Sequence, residues 1–61
     1  MHSYRFYFLD GNDHIKAVET IECISDVEAA RKATDLLAEH NAYEAIEVWK
    51  GKHRVHQARR T

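Results

Sequence analysis

The chain has 61 residues, 44% of them hydrophobic and 31% charged, with a net charge of −1, one cysteine and no proline. That length gives a single domain burying only about 60% of its unfolded surface, the lone cysteine excludes an internal disulfide, and the lack of any apolar run near 18 residues excludes a membrane-crossing helix. The charge is uneven, since residues 1–49 hold four bases against ten acids while residues 50–61 hold five bases and no acid.

The first element is a hairpin. Tyr4, Phe6 and Phe8 alternate with Arg5, Tyr7 and Leu9, and aromatics at period two favour a strand over about 3–9. Asp10-Gly11-Asn12-Asp13 follows as a turn, with Gly11 free to take a positive φ and Asn and Asp bonding their own backbone. A four-residue loop pairs Phe8 with Ile15 and Phe6 with Ala17, which keeps apolar residues on one face. The second strand, about 14–23, is expected to be irregular near Glu19, where the alternation falters.

A helix over about 26–40 comes next. Ser25 followed by Glu28 fits a capping box, and Asp26 and Glu28 suit the positive end of the helix dipole. Val27, Ala30, Ala33 and Leu37, with Leu36 beside them, form the predicted buried stripe. Asn41 is the expected left-handed cap.

The second hairpin joins strands of about 44–49 and 53–58. A Lys50-Gly51 turn sets Ile46 against Val55 and Glu47 against Arg54; a longer loop pairing Val48 with Val55 fits the same facing. The order β-β-α-β-β predicts an α+β two-layer sandwich, a four-stranded antiparallel sheet in spatial order 2-1-3-4 with one helix on one face. The first strand is apolar on both sides and suits the centre. The last is the most charged and suits an edge, where Lys and Arg discourage stray pairing. The whole chain, 1–61, is read as this one domain.

The helix covers an inner face of Tyr4, Phe6, Phe8, Ile15, Ala17, Ile46, Val48 and Val55. Tyr7, Leu9, Val18 and Trp49 then cluster on the outer face, a large apolar group for so small a protein. Two uses of that face compete. One is self-association, because Tyr, Trp and Arg are enriched at interface centres and domains of this size commonly draw stability from a partner chain. The other is a single-stranded nucleic-acid (RNA) platform, with bases stacked on the aromatics and Lys50, Lys52, Arg54, Arg59 and Arg60 on the phosphates. Glu47 in the middle of that platform, and a net charge far from the basic balance of a dedicated nucleic-acid domain, favour the first.

No catalytic or metal site emerges. His53 and His56 point to opposite faces of a strand, and His2, His14 and His40 fall in separate places with no zinc spacing. Cys23 has no base placed beside it and reads as a small packed group. "DGND" lacks the length and later glutamate of a calcium loop. No cofactor motif is present, and the chain is not read as an enzyme.

With its "YRFYFLDGNDHI" opening, "SDVEAARKATDLLAEH" helix and "EVWKGKHRV" close, the chain resembles short, uncharacterised bacterial proteins of the domain-of-unknown-function type. That resemblance implies a compact β-β-α-β-β domain without an assigned activity. It also resembles HicB-type antitoxins in its strand, acidic glycine-containing turn, second strand and Asp/Glu-x-x-Ala helix, which would imply an antitoxin-like, partner-binding regulator; this chain lacks the proline of their signature. The expectation taken forward is a cytoplasmic, non-catalytic interaction module that acts as a homodimer. The N-terminus has neither the basic start nor the continuous apolar core of a signal peptide.

Overall fold

The structure, a computed structural model, describes residues 1–60. It contains β1 (His2–Leu9), β2 (Ile15–Cys23), α1 (Asp26–Glu39), β3 (Ala45–Lys50) and β4 (His53–Arg59). The strands form one antiparallel sheet in the order β2-β1-β3-β4, the arrangement expected from the sequence. No helix among the described residues is long and apolar enough to cross a membrane.

Tyr4, Phe6, Phe8, Ile46 and Val48 are fully buried on one face of the sheet, against Ala29, Ala33 and Leu37 of α1. The alanines hold the helix close to the strands. Val27 is 68% exposed, so the buried stripe is Ala29-Ala33-Leu37 and not the expected one starting at Val27. The helix packs mainly over the β3–β4 side and leaves β2 largely open. That is why Glu19, paired with Phe6 on the helix side, stays exposed within a regular strand.

The irregularity in β2 lies earlier than expected. Phe8 pairs with Ala17 and Leu9 with Ile15, leaving Lys16 as an extra residue. This bulge carries Ile15 to the outer face, correcting the predicted Phe8–Ile15 pairing, while Ala17 keeps its inward position. The turn also departs from expectation: Asp13, not Gly11, has the positive φ, 64°. A short polar side chain tolerates that region. The Asp10 carboxylate accepts from the Asn12 and His14 amides at 2.8 and 3.0 Å, and those bonds hold its pKa below the usual value.

The second hairpin turns on Gly51-Lys52, one residue later than the first alternative. Lys50 pairs with His53, and Gly51 takes φ 61°. A second irregularity makes Val55 the extra residue, so Val48 pairs with His56 and Ile46 with Ala58. Val55 still packs on the core.

The predicted Ser25–Glu28 cap forms, with its return bond one residue before the cap amide. Ser25 Oγ accepts from the Glu28 amide, and Glu28 Oε1 accepts from the Ile24 amide. The helix ends differently. His40 is the C-cap with φ −111°, and Asn41 does not take a left-handed conformation. The terminal carbonyls are satisfied from outside: the Arg60 guanidinium donates to the carbonyls of Leu37, His40 and Tyr43. The last turn has no cation of its own, so Arg60 also supplies the positive charge favoured there.

Candidate interaction face

Because side chains alternate along each strand, the register arranges the outer face in rows. Ile15, Leu9, Ala45 and Arg59 form one row across the four strands. Val18, Tyr7, Glu47 and Gln57 form the next, and Thr20, Arg5, Trp49 and Arg54 the third.

Of the four residues proposed from sequence, three reach the surface together. Tyr7 and Trp49 are half-buried and Val18 is 50% exposed. Leu9 is only 6% exposed and is part of the interior. In its row Ala45 is buried as well, and Arg59 Nη2, from the edge strand, reaches across to the turn and donates to Asp13 Oδ1 at 2.6 Å. Ile15, 58% exposed, takes the surface position that Leu9 gives up. Sequence reasoning missed it because the bulge at Lys16 reverses which way Ile15 faces.

Tyr7, Ile15, Glu47 and Trp49 line an open cleft of about 270 Å³. Glu47 is held in place in this lining. Its Oε1 accepts from Trp49 Nε1 at 3.1 Å, and its Oε2 faces Arg54 Nη1 at 3.5 Å. The cleft is thus apolar and aromatic around one oriented carboxylate.

The five cations of the C-terminal segment do not form one patch. Arg54 pairs with Glu47, Arg59 with Asp13, and Arg60 with the end of the helix. Lys50, beside the hairpin turn, and Lys52, within it, are exposed. The long-range roles of Arg59 and Arg60 carry no local sequence signal, since their partners lie 46 and 17 to 23 positions away.

Cys23 lies fully buried in the core, where burial pushes its thiol pKa up. Such a thiol is a packing group, because the thiolate is the reactive form. Among the described residues no three of His, Cys, Asp or Glu gather where they could hold a metal.

No protein-family model matches the chain, and neither a curated protein nor a solved structure shows significant similarity to it.

Proposed function

We propose that this protein is a small, non-catalytic interaction module that self-associates as a homodimer through the outer face of its sheet. The observation that carries this reading is the cleft of Tyr7, Ile15 and Trp49 around Glu47, with exposed Val18 beside it. One helix covers only one side of a sheet, and aromatic and β-branched residues left together on the other favour a protein contact. The 30 × 20 Å extents of the chain limit the face to about 600 Å² of plane per copy, the lower range for a stable interface. A concentration-dependent dimer is therefore expected. The proposed setting is the cytoplasm, which suits a single unpaired thiol.

Intramolecular contacts of Arg54, Arg59 and Arg60 weigh against a phosphate-binding role for the C-terminal cations. The test is light-scattering mass after size exclusion, over a concentration series at low and high salt, on nuclease-treated protein. A dimer that survives high salt, and that Trp49→Ala shifts to monomer, supports the reading. A wild-type monomer throughout the series would sink it.

A further inference from the structure

Arg5, Tyr7, Glu47 and Trp49 form a two-by-two block at the centre of the outer face, because Arg5 pairs with Trp49 and Tyr7 with Glu47 on adjacent strands. Its diagonals differ in kind. One joins two aromatics, Tyr7 and Trp49, and the other joins a cation to an anion, Arg5 and Glu47. Among the described residues Arg5 is exposed and has no carboxylate partner, while Glu47 is held by Trp49 and Arg54. From this arrangement we infer that the occupant of the face is a second copy of this chain, seated so that Arg5 of each copy meets Glu47 of the other. The inference rests on the homodimer reading and deepens it by naming the contact that sets the geometry.

The symmetry follows from the block. Two identical faces that meet are related by a twofold axis lying between them, parallel to the sheets. An axis along the Tyr7–Trp49 diagonal leaves each aromatic facing its own copy and brings each end of the other diagonal beside the opposite end in the partner, within reach of side chains as long as Arg and Glu. Arg5 then lies beside Glu47, and Glu47 beside Arg5. Like charges never oppose each other at the centre, and the guanidinium enters a cleft whose walls are Tyr and Trp, surfaces that also attract cations. Neighbouring strands are about 4.8 Å apart and alternate residues roughly 6.8 Å apart along a strand. The axis therefore runs oblique to the strands, and the two sheets cross nearer to a right angle than to parallel, a known mode of sheet packing.

The test uses two charge reversals and their mixture, with dimer dissociation constants from sedimentation equilibrium. Arg5→Glu alone sets acid against acid, and Glu47→Arg alone sets base against base. Each is expected to weaken its own dimer by at least about tenfold, the lower range for close interfacial charge pairs. Mixed in equal amounts, the two recover a heterodimer of near wild-type affinity, because both contacts are then opposite in sign. Circular dichroism confirms that each variant folds. Should Glu47→Arg fail to fold for lack of the Trp49 acceptor, Arg5→Glu mixed with Glu47→Gln serves, and is expected to recover part of the affinity. If wild type dimerises and Trp49→Ala breaks the dimer, but the reversals neither weaken nor rescue it, this contact is wrong and the homodimer reading stands. A wild-type monomer overturns both.

Discussion

The Tyr4 hydroxyl donates a 2.6 Å hydrogen bond to the Asp26 carboxylate, tying the central strand to the first helical turn. Tyr4 is otherwise fully buried, so the bond gives its one polar atom a partner. It pushes the Tyr4 pKa up to about 12, with burial adding to the effect.

Alkaline stability should report this bond. The folded pKa lies above the ordinary value near 10, so its contribution is complete below pH 10 and is lost as pH rises from about 10 through 12. Tyr4→Phe is expected to remove that slope. At neutral pH it costs about 1.5 kcal/mol, the lower range for a bond to a charged group, because exposed Asp26 can turn to water. Thermal melts of both proteins between pH 7 and 12 check it.

Asp10 contributes to the acid limb. The His14 amide bond, followed by the Asn12 amide, lowers its pKa. Its contribution is present above the ordinary carboxylate range and disappears as pH falls through the depressed folded value. Asp10→Asn should flatten the acid limb of the stability curve in urea titrations, while the limb above pH 7 keeps its shape.

Removing the external cap should loosen one end of the helix. Arg60→Ala leaves the carbonyls of Leu37, His40 and Tyr43 without their side-chain donor, at a cost of about 1–2 kcal/mol. Arg60→Lys keeps the charge but loses the fork, and should fall between. Hydrogen exchange is expected to quicken in the last helical turn before the first.

The two glycines should respond differently. Gly51 has φ 61° and open space around it, so Gly51→Ala costs about 1 kcal/mol from backbone strain alone. Gly11 lacks a positive φ, and a Cβ there meets only Glu44 Cγ at 3.6 Å. Gly11→Ala is expected to change the melting temperature by little, and a large loss there would contradict the turn geometry.

Strand alternation, the Ser25–Glu28 cap and the apolar character of β1 on both faces made the element order and sheet topology legible in the sequence. The two irregularities were not, because an extra residue at Lys16 or Val55 leaves no mark on an alternating pattern until its partner strand is known. Each one changed a facing or a pairing: Ile15 moved outward, and His56 came to lie opposite Val48 and Ala58 opposite Ile46, the two positions that Val55 was alternatively expected to face. For the candidate face, Tyr7, Val18 and Trp49 could be read by parity. Leu9 could not, since its row ends in a clasp between Asp13 and Arg59, far apart in the chain. The helix end was misjudged for the same reason, as Arg60 does what a local Asn41 cap would have done.

The placement of β1 between β2 and β3 also bears on how the chain reaches this structure. Each hairpin joins strands that are neighbours in sequence, but Arg5 must find Trp49, 44 positions onward. That seam closes the longest loop in the sheet, and loop closure has to occur before its contacts can repay the lost chain entropy. The first strand to be synthesised therefore waits for the third before its second edge is satisfied. Truncating Phe6 or Val48, which meet across that seam, should slow refolding, whereas damage at the Gly51 turn should appear more in the unfolding rate.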